Sequence, residues 1–217
     1  MQELAPGVWQ LKGTPENGLN VYLLGDVLVD SGLGFNKANI LKQLQGHAVA
    51  AHALTHAHFD HYGASHAVCE ALGIPLWVGE HDAAAVEVGK QVGKVPGAGK
   101  RLLPAAKRHP VARRLVEGDD VGGFQVLFTP GHSPGHVSYW RESDRVLVCG
   151  DVMWGHNPFT GRRGIREPYP LLSPEPGVNR ASARRLAALE PKLVLFGHGP
   201  ALRDTAAFAA AVGKLPA

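Results

Sequence analysis

Strands and helices that alternate along most of the chain predict an α/β protein, with sheets covered by helices. Three observations carry this reading: β-rich segments near the start of each half, helical apolar spacing after several strands, and histidines or aspartates directly after strand ends. The third bears on function, because the crevice outside strand ends is where α/β proteins usually place their chemistry.

The chain opens with GVWQLKG, LNVYLLG and VLVD, short β-forming segments, the last two joined by Gly25 and Asp26, a strong hairpin-turn pair. This is an antiparallel start. Residues 36–44 place Ile40, Leu41 and Leu44 at helical spacing, and Gly46 stops that helix. Residues 49–55 read as a short apolar strand. In 64–72, Ala64, Ala67, Val68, Ala71 and Leu72 share one helical face, with Gly73 as terminator and Pro75 beyond it. PLWVG at 75–79 predicts a strand and 80–88 a helix. From 89 to 118 the pattern loosens at Gly93, Pro96, Gly97, Gly99 and Pro104, with one or two short basic helices expected in 102–116. We read this segment as an insertion over the site. Strands follow at 124–129, 136–141 and 145–149, the last two joined across Ser143 and Asp144. A second irregular segment covers 155–176, and loops of that length inside a compact domain are commonly functional. A helix at 178–189, a strand at 192–196, the turn GHGP and a helix at 204–212 close the chain. Each half is expected to supply one sheet of a single domain spanning 1–217.

A length of 217 residues and a hydrophobic content of 45% suit one ordinary globular domain. No apolar run reaches the roughly 18 residues of a membrane span. The start, MQELAPGVWQ, has neither the basic segment nor the apolar core of a signal peptide, so a cytoplasmic location is expected. Cys69 and Cys149 lie in apolar contexts that suit reduced, buried thiols. A net charge of +3 does not announce a nucleic-acid binder. The distribution is more informative: Lys90, Lys94, Lys100, Arg101, Lys107, Arg108, Arg113 and Arg114 follow one another with no acid between, and Arg162, Arg163 and Arg166 form a second knot. These are either a solvated surface or a cationic wall for an anionic substrate.

The segment THAHFDHYG at 55–63 gathers His56, His58, Asp60 and His61 within six positions. On a strand His56 and His58 share a face, and Asp60 and His61 fall in the following turn, with Asp60 placed to cap a helix starting near Tyr62. Buried imidazoles without a ligand would carry unpaired polar groups and repel one another on protonation, which favours a metal. Three later segments put a candidate directly after a strand and beside glycine: TPGHSPGH with His132 and His136, VCGD with Asp151, and FGHGP with His198. Glycine lets the chain turn sharply there. His56, His58 and His132 form one set, and Asp60, His61 and His198 another, with Asp151 able to bridge. Three protein ligands and an open position is the arrangement of catalytic zinc. Two such ions, about 3.5–4 Å apart, share a hydroxide between them. Mixed N and O donors without thiolate fit zinc best and tolerate iron, manganese or cobalt. The expected chemistry is water activated at a pKa of about 7 and attack on a carbonyl carbon, with Asp60 orienting the nucleophile and passing a proton to the leaving group. His136 is a candidate for orienting a ligand. His66 is expected on a helix surface or in a supporting contact, and His47, His52, His81, His109 and His156 have no partner visible in the sequence. Trp154, Phe159 and Tyr169 are candidates for an apolar wall, Tyr169 also for assisting the leaving group, and Arg162, Arg163 or Arg166 for holding a carboxylate or phosphate.

HAHFDH, followed by His132, Asp151 and His198, resembles the metal signature of the metallo-β-lactamase-fold superfamily, and the resemblance covers nearly the whole chain. All seven positions of that family's dinuclear pattern are filled. VDSG at 29–32 resembles its first motif, whose aspartate, here Asp30, usually supports the ligands. The resemblance implies an αββα sandwich, two mixed sheets face to face with helices outside and the site along one edge. TPGHSPGH is most similar to the subgroup of hydroxyacylglutathione hydrolases and lactonases. Asp151 stands where true β-lactamases place cysteine or another residue, which argues against antibiotic hydrolysis. The chain also ends before the helical extension with which hydroxyacylglutathione hydrolases hold glutathione. The implied protein is a hydrolase with two divalent ions, zinc first and iron or manganese as options, cleaving a small ester, thioester or lactone. A mononuclear-iron persulfide dioxygenase and a phosphodiesterase acting on nucleic acid are the alternatives. The expected partner is a small molecule, anionic if the basic segments face the site, rather than a membrane or nucleic acid.

Overall fold

The computed structural model describes residues 1–13, 15–93 and 106–216. The first half contains β1 (Gln2–Ala5), β2 (Val8–Gln10), β3 (Tyr22–Leu24), β4 (Val27–Val29), α1 (Lys37–Gln43), β5 (Ala51–Ala53), α2 (Phe59–Tyr62), α3 (Ser65–Leu72), β6 (Leu76–Gly79), α4 (Glu80–Glu87) and β7 (Val111–Leu115). The second contains β8 (Asp120–Val121), β9 (Phe124–Phe128), β10 (Val137–Arg141), β11 (Val146–Gly150), β12 (Trp154–His156), β13 (Arg163–Arg166), α5 (Pro176–Ala187), β14 (Leu193–Phe196) and α6 (Thr205–Gly213).

β1 to β7 form one sheet in sequence order. Its first four strands are antiparallel, and β4 to β7 are parallel. The change falls where helices begin to separate the strands, because a parallel pair needs a crossover and an antiparallel pair only a turn. Gly25, at φ +58°, makes the turn between β3 and β4. The second sheet runs β14-β11-β10-β9-β8, antiparallel except for the β11/β14 pair, and α5 makes the crossover to β14.

The inner faces of the two sheets meet in one apolar layer. Val8, Tyr22, Leu24, Val29 and Ala53 from the first pack with Phe124, Val126, Val137, Tyr139, Val148 and Leu195 from the second. Alternate residues point outward, as the strand period requires. Leu23 and Leu28 pack with Ile40, Leu44 and Val68 of the α1 and α3 layer, and Leu147, Val194 and Phe196 with Ala183, Leu186, Phe208 and Val212 of α5 and α6. The result is the αββα sandwich, one sheet from each half.

Three expectations need correction. The basic helices expected in 102–116 are replaced, in the described part, by the edge strand β7, whose VARRL alternates half-buried and exposed residues before Leu115 buries. Charge disguised the alternation: Arg113 lies over the Trp77 ring at 5.2 Å and pairs with Asp119 at 2.7 Å. The segment 155–176 contains the ribbon β12–β13. The chain also starts with a strand at Gln2 that was not anticipated. Lys94, Pro96, Gly97, Gly99, Lys100, Arg101, Leu102 and Pro104 lie outside the described residues. Cys69 and Cys149 are free and buried.

Candidate metal centre

The chain leaves β5 at Ala53 and runs through residues 54–58 into the one-turn helix α2, which carries Asp60 and His61. Asp60 therefore sits inside a helix rather than capping one near Tyr62, because its carboxylate is turned toward imidazoles: Oδ2 lies 3.4 Å from His198 Nε2 and 3.9 Å from His61 Nε2. The later strand ends bring the remaining candidates to the same place. His132 follows β9, Asp151 follows β11 and His198 follows β14. His56, His61, His132, Asp151 and His198 are buried, while His58 and Asp60 are half-buried.

His56, His58 and His132 offer donor atoms to one point, and Asp60, His61 and His198 to another. His58 Nδ1 lies 3.0 Å from both His56 Nε2 and His132 Nε2. Asp151 Oδ2 stands between the sets, 3.6 Å from His132 Nε2, 3.6 Å from His61 Nε2 and 3.2 Å from His198 Nε2. All seven residues singled out in the sequence converge.

These contacts fit cations better than hydrogen bonds. A ring nitrogen carries one proton or one in-plane lone pair, so His58 Nδ1 cannot bond well to two nitrogens at once. His61 Nε2 and Asp151 Oδ1 are buried with no hydrogen-bond partner among the described residues. Such orphans cost free energy unless a ligand meets them. The His/Asp cluster and the fold imply a divalent metal.

Other atoms fix the rings. His61 Nδ1 donates to Asp30 Oδ2 at 2.9 Å, and Asp30 is itself held by the Thr55 backbone N–H and hydroxyl, each at 2.8 Å. His198 Nδ1 donates to the Gly18 carbonyl at 2.7 Å. Both rings thus keep Nε2 as a lone pair aimed into the site, the usual way a ligand is oriented. His132 Nδ1 meets Ser173 Oγ at 3.1 Å. His136 is spent on support: its Nε2 accepts the Asp151 backbone N–H at 3.1 Å and its Nδ1 meets Thr129 Oγ1 at 2.9 Å. A side chain at Gly197 would collide with Asp151 Oδ1 and come within 2.7 Å of His61 Cε1, so only glycine leaves room for the centre there.

Ser173 and Thr129 escaped the sequence reading as supports, and so did one buried carboxylate. Asp82, fully buried in the first turn of α4, accepts the Ala57 N–H at 2.9 Å, the Ser133 hydroxyl at 2.7 Å and the Gly135 N–H at 2.6 Å. It ties the loop of His56 and His58 to the loop of His132. The available signal was an acid on the helical face that also carries Ala83 and Val86.

The electrostatics divide the cluster in two. Burial, reinforced by neighbouring imidazoles, holds His56 and His132 well below the ordinary imidazole range, and burial also lowers His58. Burial opposes the charged form of His61 and His198 too, but there the carboxylates win. Asp151, Asp60 and Asp30 hold His61 well above its usual value, and Asp151 and Asp60 raise His198 to about 10. The carboxyls of Asp60 and Asp151 are lowered despite burial, chiefly by His61 and His198. Such a concentration of negative charge attracts a cation, which would displace the protons from those two rings.

Around the centre, the Trp154 ring packs 5.6 Å from that of His198, and Tyr169 lies 6.0 Å from Trp154. Phe159 joins them at the exposed edge. Arg166 lies over the Tyr169 ring at 5.0 Å, while Arg162 and Arg163 are exposed. Arg114 pairs with Glu87, and Lys90, Lys107 and Arg108 are exposed, so the described part of the first basic stretch reads as a solvated surface.

A sandwich of this kind with a His/Asp centre at its strand ends defines a protein of the metallo-hydrolase class. The chain belongs to the metallo-β-lactamase superfamily: the family profile of that description matches residues 15–198. The probable metallo-hydrolase YqgX of Bacillus subtilis is 33% identical over 189 residues, covering 82% of this chain and 83% of that protein. The hydroxyacylglutathione hydrolase GloC of Haemophilus influenzae is 28% identical over 153 residues, covering 67% and 66%. The crystal structure of TTHA1623 in a di-iron-bound form superposes with a TM-score of 0.73 at 33% identity, covering 94% of this chain and 98% of that one. No helix among the described residues is long and apolar enough to cross a membrane.

Proposed function

We propose that this protein is a dinuclear-metal hydrolase that cleaves a small ester, thioester or lactone. His56, His58 and His132 would hold one ion and Asp60, His61 and His198 the other, with Asp151 placed between the two sets. The observation that carries the reading is the position of Asp151 Oδ2, within 3.6 Å of imidazoles belonging to both sets. Bound divalent ions would supply a nucleophilic hydroxide at neutral pH and polarise the substrate oxygen, zinc being the first choice and iron, found in TTHA1623, the second.

The remaining work falls to the chain. Asp60 is the carboxylate at the mouth, its side chain 37% exposed against 3% for Asp151. It can therefore face the nucleophile and hand a proton to the leaving group. Asn157 donates from Nδ2 to the Tyr169 hydroxyl at 2.6 Å, which leaves that hydroxyl free to donate onward to substrate. Trp154 and Phe159 keep this side apolar, and Arg166 suits an anionic group on the substrate. Relatives named metallo-hydrolase and hydroxyacylglutathione hydrolase support hydrolysis, and the latter a thioester.

The test is a panel of lactones, thioesters and phosphodiesters on metal-analysed protein, with His58→Ala and Asp60→Asn alongside. The expected result is two ions per chain that depend on His58 and Asp60, and carbonyl substrates cleaved by wild type only. A single iron, with oxygen consumed and sulfite formed from a persulfide, would replace the hydrolase by an oxidoreductase. Activity retained in both variants would mean the centre is misassigned.

A further inference from the structure

The outer layer holds a second group of donors that takes no part in the centre described above. His66 and Glu70, four residues apart on α3, share one face of the helix. His109, just before β7, is brought against them and is buried. His66 Nδ1 and His109 Nδ1 face each other at 3.2 Å, and Glu70 Oε1 lies 3.9 Å from His109 Nδ1. One donor atom from each residue falls within 4.8 Å of the other two.

We propose that His66, Glu70 and His109 bind a divalent transition-metal ion, zinc by preference, at a site separate from the hydrolytic centre. Two nitrogens on a tetrahedral zinc, each about 2.0–2.1 Å from it, stand about 3.3 Å apart, so the imidazoles already hold the required spacing. Glu70 closes the remaining gap at little cost, since its side chain is 65% exposed and free to change rotamer. Two imidazoles and a carboxylate without thiolate suit zinc, and the exposed side leaves a position for water. The ion would fasten α3 to the chain entering β7.

The competing account is a plain imidazole–imidazole hydrogen bond, which needs no ion. Zinc content of the full chain, measured after equilibration at stepped free zinc, separates the two. The double variant His66→Gln/Glu70→Gln changes only helix-surface residues. It is expected to bind one ion fewer per chain than wild type, to lose a zinc-dependent rise in Tm, and to keep its turnover. Equal zinc content and equal Tm response in wild type and double variant would overturn the proposal. His58→Ala serves as the separate control on the hydrolytic centre. If it loses ions while the double variant does not, only this inference fails. If the double variant loses its ion while His58→Ala loses none, the reading of the hydrolytic centre fails instead.

Discussion

Replacing His52 with glutamine will remove a pH dependence from the stability of this protein. His52 is fully buried; its Nδ1 donates to the Leu28 carbonyl at 3.0 Å, so Nε2 is an acceptor and takes the Ser65 hydroxyl at 2.8 Å. Ser65 Oγ touches Ser31 Oγ at 3.0 Å, and Ser31 reaches the His61 carbonyl at 3.1 Å. Protonating His52 would place a second donor against Ser65 and turn this row of hydroxyls around. Burial is the main reason its pKa falls from 6.5 to about 4. The unfolded chain takes up that proton near 6.5 and the folded chain only near 4, so in between the unfolded state binds more protons and stability rises with pH. The contribution is present in full above about 6.5 and is lost as the pH falls towards 4. At about 1.4 kcal/mol per pKa unit the gap is worth about 3 kcal/mol. Glutamine offers similar hydrogen bonds and no proton to titrate. Urea unfolding of chelated wild type and His52→Gln, stepped from about pH 7 to about pH 4, gives the difference directly, since the other titrating groups are common to both. Wild type should lose up to about 3 kcal/mol more than the variant. A difference independent of pH, or one that moves in favour of wild type in acid, would refute the reasoning.

Asp82→Asn replaces one acceptor oxygen with a donor in a pocket of three donors, and should cost about 1–3 kcal/mol in urea unfolding while weakening metal retention. Asp30→Asn removes the charge that orients His61, and chelator competition should report a loss of about 10- to 100-fold in metal affinity. Gly197→Ala drives a methyl against Asp151 and His61; bound metal and activity should fall together while far-UV circular dichroism stays native-like.

The convergence of the seven His and Asp side chains was readable because its signals are local in the sequence. Each of these residues follows a strand end and stands beside glycine or within HAHFDH, so residue type and position agree. The strand order of the second sheet was not readable, since pairing β14 with β11 depends on contacts nearly fifty residues apart. β7 was hidden because its arginines are balanced not only by nearby Asp119 but by Glu87 and the Trp77 ring, which lie well outside a local window. Asp82 was missed for the opposite reason: it looks like an ordinary helix-start acid until the loops it holds are placed around it. His66 and His109 lie forty-three residues apart and meet only through the packing of α3 against the entry to β7.

The division of the centre between the two halves also dictates when it can be completed. The segment from His56 to His61 comes off the ribosome with the first sheet, but His132, Asp151 and His198 belong to the second. A growing chain offers the whole of the first donor set only after His132, and the whole of the second only once His198, beyond its last strand, has emerged. Completion of the whole cluster thus comes late in the synthesis of each molecule. An ion held by donors from both halves would join one sheet to the other.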